Sequence, residues 1–116
     1  MRDLDWNTAI AAGGWDARSA TVLAVATNGD VGAAIIDTNG DGADIDLDWY
    51  VRVDGDWQPG SSGNISEAGS AESFDGLAQW GRTTPGQTIE IEHQGNRHTL
   101  TATDTGWWLF VTANQA

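Results

Sequence analysis

The chain has no cysteine and no lysine, and it carries only two prolines and one tyrosine among its 116 residues. Without cysteine there is neither a disulfide framework nor a thiolate zinc site, so any fold must stand on its apolar core. A compact chain of this length buries roughly two thirds of the surface its unfolded form exposes, which is enough for one domain without staples. No run reaches the ~18 apolar residues of a membrane span, and Met1-Arg2-Asp3-Leu4-Asp5-Trp6 lacks the basic then apolar order of a signal peptide. These absences favour a cytoplasmic protein without membrane attachment. A secreted domain cut from a longer chain would share them.

Positive charge is equally scarce. Five arginines stand against seventeen acids, giving a formal net charge of -12. Such a field repels phosphate backbones and anionic lipid surfaces, which excludes direct nucleic-acid binding as the leading function class. It attracts cations or a basic protein partner, and it also keeps a surface hydrated in a salt-rich setting.

What is abundant is turn chemistry and short alternating runs. Asn28-Gly29 predicts a type I′ hairpin joining Thr21 to Thr27 with Val31 to Asp37. Ile45 to Val53 is the clearest strand: Ile45, Leu47, Trp49, Val51 and Val53 share one face, and Asp44, Asp46, Asp48, Tyr50, Arg52 and Asp54 the other. That sorting predicts an antiparallel sheet with one face in solvent. Asp54-Gly55 turns the chain so that Trp57 returns against the strand end.

From Pro59 to Gly76 the periodicity lapses into serine and glycine, which predicts a flexible or functional loop over 59–76. Leu77 to Arg82 resumes strand character, and Thr88 to His93 pairs with Arg97 to Thr103 through a type II′ turn at Gly95-Asn96. Trp107 to Val111 is apolar on both faces and should sit centrally in a sheet. Leu4 to Ala12 reads as a short N-terminal helix capped by Asp5 and stopped by Gly13-Gly14, with an edge strand as the alternative. The expected fold is all-β: a single domain over 1–116, an antiparallel β-sandwich of immunoglobulin-like shape, with a small barrel as the alternative.

Trp57-Gln58-Pro59-Gly60-Ser61-Ser62-Gly63-Asn64, Gly81-Arg82-Thr83-Thr84-Pro85-Gly86 and Gly106-Trp107-Trp108-Leu109-Phe110-Val111 resemble stretches of a loose group of small bacterial β-domains. In those a tryptophan precedes a Ser/Gly/Asn loop and the chain finishes on an aromatic strand. The resemblance spans about half the chain and implies a fold without an activity.

The acidic turn between the second and third strands carries the chemical signal. Asp37-x-Asn39-x-Asp41-Gly42 resembles the opening of the calcium loops of EF-hands and dockerin modules, with oxygens at the first, third and fifth positions and a glycine at the sixth. Ala43 would supply the carbonyl at the seventh. Asp48 stands at the twelfth, but in a strand it lies roughly 13 Å beyond Asp44. The expected ligand set is therefore Asp37, Asn39, Asp41, Ala43 and Asp44, with calcium ordering a turn whose carboxylates otherwise repel one another. The same residues also suit a plain polar turn.

His93 and His98 are expected to oppose each other across their hairpin, yet no acid on that face completes a three-ligand metal set. The serines lack a G-x-S-x-G elbow, and no histidine is placed to act as their base, so catalysis is not expected. Seven tryptophans, with Tyr50, raise a third class, a carbohydrate-binding module with exposed Trp57 and Trp80 as stacking platforms. The leading expectation is a noncatalytic module that meets a basic protein through Asp46, Asp48, Asp54, Tyr50, Trp57 and Trp80, with calcium in the Asp37–Asp44 loop. Glycan binding is the alternative.

Overall fold

The structure is a computed structural model that describes residues 4–15, 20–38, 44–72 and 76–113. Its elements are α1 (Trp6–Gly13), β1 (Thr21–Asn28), β2 (Val31–Asp37), β3 (Ile45–Val53), β4 (Asp56–Asn64), β5 (Gly69–Glu72), β6 (Gly76–Arg82), β7 (Thr88–His93), β8 (Asn96–Thr101) and β9 (Trp107–Ala113). The fold is all-β and sandwich-like, with antiparallel sheets and one short helix. β1 to β4 form a meander in sequence order, β5, β6 and β9 form a second sheet, and β7 and β8 form a separate hairpin. Among the described residues no helix is long and apolar enough to cross a membrane.

Alternation along the strands builds the inter-sheet core. Leu23, Val31, Ala33, Ile35, Leu47 and Trp49 of the meander meet Ala78, Trp80, Trp107, Leu109 and Val111 of the second sheet. The outer face of the meander is also buried, contrary to the expectation of a half-solvated sheet. Val22, Ala34, Ile36 and Tyr50 pack there against Leu4 and Ala9 on and beside α1. The helix forms because Asp5 caps it, its carboxylate accepting the Thr8 N–H at 2.7 Å, and Gly14 ends it in the left-handed region at φ 72°.

Local corrections follow from backbone pairing. The stretch read as a loop over 59–76 contains β4, which pairs with β3, and β5, which pairs with β6. Pairing at a sheet edge needs only backbone groups, so serine, glycine and Pro59 are tolerated there. The first hairpin turns on Gly29-Asp30, since Asn28 pairs with Val31; Gly29 alone takes a positive φ, 62°, as in a type II′ turn. The β7–β8 hairpin turns on Gln94-Gly95, both with positive φ (52° and 78°), the pattern of type I′. His98 therefore pairs with Ile91 and His93 with Asn96, so the two histidines are not directly opposed.

β9 is not central in a hydrogen-bonded ladder but terminates the second sheet. Its apolar character still serves burial. Trp107, Leu109 and Val111 face the inter-sheet core, while Phe110 on the other face lies under the hairpin, with the His98 and His93 rings 4.7 and 5.8 Å away. A bulge between Val22 and Ala24 in β1 turns Leu23 out of the pairing. Its carbonyl is met by the hydroxyls of Thr103 and Thr105 at 2.8 and 3.0 Å, tying β1 to the segment that leads into β9.

Candidate functional site

At one end of the sandwich the two sheets part to leave a cleft of about 280 Å³. Asp37, the last residue of β2, follows the inward alternation of Val31, Ala33 and Ile35 and places its carboxyl in this cleft, only 7% exposed. Ile45 stands beside it at the start of β3, because Asp37 and Ile45 are register partners. The segment after β4 lines it as well. Ile65 N–H donates to Ile45 O at 2.9 Å, and Trp80 Nε1 donates to Ser66 O at 3.0 Å, so this segment is tied to both sheets. Glu67 then reaches Arg82 at 3.7 Å, and the Arg82 guanidinium lies 5.8 Å from the centre of the Trp107 ring.

The acidic turn adjoins this cleft. Thr38 N–H and its hydroxyl both donate to Asp44 O, at 3.0 and 3.2 Å, which pinches the turn at its base. Of the expected calcium ligands, Asp37 and Asp44 are brought to that base, while Asn39, Asp41 and Ala43 lie outside the described residues. Among the described residues no group of three or more His, Cys, Asp or Glu side chains gathers as a metal site.

The expected partner-binding residues separate into two sets. Asp54 is exposed at its turn, and Asp46 is half-buried, accepting from Asn64 Nδ2 at 2.8 Å. Asp48, Tyr50, Trp57 and Trp80 are corrected from surface to interior, with exposures of 5, 0, 8 and 5%. Trp80 fills the inter-sheet core, and Trp57 packs with the core under α1 while the Arg52 guanidinium covers its ring at 4.8 Å. A glycan platform needs open ring faces, and these three rings do not offer them.

Beneath α1 lies a polar cluster that the strand pattern alone did not show. Trp15 Nε1 donates to Asp48 Oδ2 at 2.6 Å, and the Tyr50 hydroxyl donates to Ala9 O at 3.0 Å while standing 3.4 Å from the same Asp48 oxygen. Gly13 permits this: a Cβ there would come within 2.8 Å of the Trp15 ring and 2.9 Å of the Tyr50 hydroxyl. Asp48 Oδ1 is buried and meets no donor among the described residues. Burial pushes the Asp48 carboxyl above the usual carboxylate value; the Trp15 bond opposes that, Asp46 adds to it, and the Tyr50 bond opposes it again. Burial likewise raises the Tyr50 phenol, with the Asp48 charge adding to the rise.

This has a measurable sign. Between the ordinary carboxylate value of 3.8 and Asp48's raised one, the folded chain holds a proton that the unfolded chain has released. Stability therefore rises as pH falls through that window and is lost as pH rises through it. A protonated Asp48 can also donate a hydrogen bond to the Tyr50 hydroxyl, whose own O–H donates to Ala9 O. Thermal melts taken stepwise from pH 7 down towards the ordinary carboxylate range should show the melting temperature climbing as Asp48 takes up its proton, with a shallower climb for Asp48→Asn. Asp46, raised by burial and by Asp44, contributes in the same direction, so the difference between the two slopes is the readout. Equal slopes would remove Asp48 from the account.

No family model, no curated protein and no solved structure matches the chain. The cleft and the charge distribution are therefore the grounds for a functional reading. Neither histidine lies at the cleft, since both pack on Phe110 across the second sheet. Arg82, Glu67, Thr105 and Trp107 were not anticipated as site residues. They come from three separate stretches of the chain, and no local spacing signals their convergence.

Proposed function

We propose that this domain is a noncatalytic interaction module that captures a basic protein partner through an acidic surface. The observation that supports this best is the disposition of the arginines. All three in the described residues are already engaged by carboxylates: Arg52 by Asp30 at 3.2 Å, Arg82 by Glu67 at 3.7 Å, and Arg97 by Glu90 and Glu92 at 4.0 and 3.9 Å. Asp54, Asp56, Glu72 and Asp104 are exposed carboxylates, and Asp44 is exposed as well, in a chain whose net charge is -12. A field of that sign accelerates encounter with a basic surface and rejects acidic ones. The absence of cysteine suits a reducing, cytoplasmic setting.

Calcium belongs to the same proposal. The pinch between Thr38 and Asp44 holds Asp37 and Asp44 at the two ends of a short acidic turn, where a divalent ion offsets their repulsion. The test has two arms. Binding of a defined arginine-rich protein, followed by titration calorimetry, should weaken steeply as salt rises; salt-independent affinity counts against acidic capture. Calcium should raise the melting temperature where magnesium does not, and Asp41→Ala should erase the rise. Identical melts with calcium and with chelator would remove the ion from the reading.

A further inference from the structure

We propose that the basic partner docks on the edge of β4, where an extended segment of it adds as a strand along residues 62–65 and seats one apolar side chain in a small opening beside that edge. This rests on the reading of the domain as an acidic capture module and goes on to say how the capture is made specific.

The edge comes first. β4 ends one sheet and β5 ends the other, and among the described residues neither has a strand beyond it. The first half of β4 suits pairing poorly, because Pro59 lacks an N–H and the register breaks opposite Trp49. Beyond the break the strand is regular. Ser62, Gly63 and Asn64 pair in step with Asp48, Leu47 and Asp46, and Ile65 N–H continues the ladder by donating to Ile45 O at 2.9 Å. Every second N–H and C=O of such a strand points away from its paired neighbour, so this stretch offers main-chain hydrogen bonds to an incoming chain.

The opening comes second. About 180 Å³ of space lies between the two sheet edges, lined by Leu47, Trp49, Ile65 and Ala71 and bordered by β4. An apolar cavity of ~150 Å³ takes a benzene ring, so this one suits a single leucine, isoleucine or phenylalanine side chain. Gly63 keeps it empty. Its register partner Leu47 faces the inter-sheet core, and a Cβ on Gly63 would meet nothing within 4 Å. A glycine inside a strand weakens it, and one there often marks the close approach of a ligand or another backbone. The rim is already fixed. Asn64 Nδ2 donates to Asp46 at 2.8 Å and Trp80 Nε1 to Ser66 O at 3.0 Å, so binding has little more to order.

Charge names the occupant. From 53 to 81 the sequence has no basic residue, while Asp54, Asp56 and Glu72 are exposed carboxylates on or beside the two edge strands. A strand with arginine at its ends is drawn to such an edge, and a second copy of this acidic chain is repelled by it.

Two-dimensional NMR of the intact chain tests the idea with a strand-length peptide that carries arginine at both ends and one central leucine among threonines. Its counterparts have alanine for the leucine, citrulline for the arginines, or alternate amides N-methylated. The parent peptide should shift the Trp49 indole signal and slow hydrogen exchange within 62–65. The alanine peptide should bind at least about tenfold more weakly, and N-methylation should abolish the protection, since it removes the main-chain donors. Gly63→Val should raise the melting temperature of the free chain by replacing a strand glycine. By filling the opening it should also erase the advantage of the leucine peptide over the alanine peptide.

If the arginine-rich protein binds but the peptide does not, or the peptide binds without regard to its leucine, its amides and Gly63→Val, strand addition is wrong and acidic capture survives. If neither the protein nor the peptide binds, both fall. Equal binding of the citrulline peptide would overturn the basic occupant, and dimers of this chain protected at 62–65 would overturn it in favour of a second copy.

Discussion

Replacing Trp80 by alanine costs about 3–5 kcal/mol, the range for removing a large aromatic from a packed interior. A domain of this length holds roughly 6–17 kcal/mol in all, so the loss is a large share of what keeps it folded. Trp80 is 5% exposed in the inter-sheet core, and its indole N–H holds Ser66 O, so the variant loses packing and the tie of the 65–68 segment together. Gly69 lies against the same ring, 3.3 Å from where its Cβ would stand, so β5 loses a contact as well. Urea unfolding should show the midpoint falling with little change in slope. Trp108→Ala, at a half-buried position on the outer face of β9, should cost distinctly less. Comparable losses at the two sites would mean that the inter-sheet core does not carry the fold.

Gly106→Ala should cost about 3 kcal/mol, although it adds only one methyl group. The residue sits at φ 88°, where a side chain costs about 1–2 kcal/mol. A Cβ there would also stand 2.4 Å from Thr83 O, which is backbone and cannot swing aside. Relieving that overlap breaks the bond from Thr83 N–H to Gly106 O, worth about 1 kcal/mol more. Thr105 and Trp107 flank this residue and line the cleft, so the strain falls on the cleft wall as well. A circular-dichroism melt decides it; a wild-type melt would show that the corner yields.

The sequence carried the strands whose side chains sort by face. Leu47 and Trp49 of β3 face the inter-sheet core and Tyr50 the opposite side, as the alternation implied, and Ile89, Ile91 and Leu100 share a face as expected. The Asp5 cap and the glycines that stop α1 were likewise readable, because capping is chemistry local to one turn. What escaped was non-local. Asp48 and Tyr50 carry polar tips and so read as a solvent face; only the helix folded across them, with Trp15 reaching down, makes them interior. β4 escaped because an edge strand can form from backbone bonds alone. The register at Gly95 was ambiguous for a different reason: the two turns differ by a shift that keeps every side chain on its face, so the apolar pattern cannot choose between them. The cleft was legible only in part, through Asp37.

The outer rail of β4 has one further consequence. As the last strand of its sheet it leaves a row of backbone donors and acceptors without a neighbouring strand among the described residues, the kind of template on which another copy could stack. Pro59 removes one donor from that row, and the break in register opposite Trp49 bends it. The abundant carboxylates make like molecules repel. Self-association is thus held back by shape and charge together, and a concentrated solution should stay clear most easily where those carboxylates are ionised.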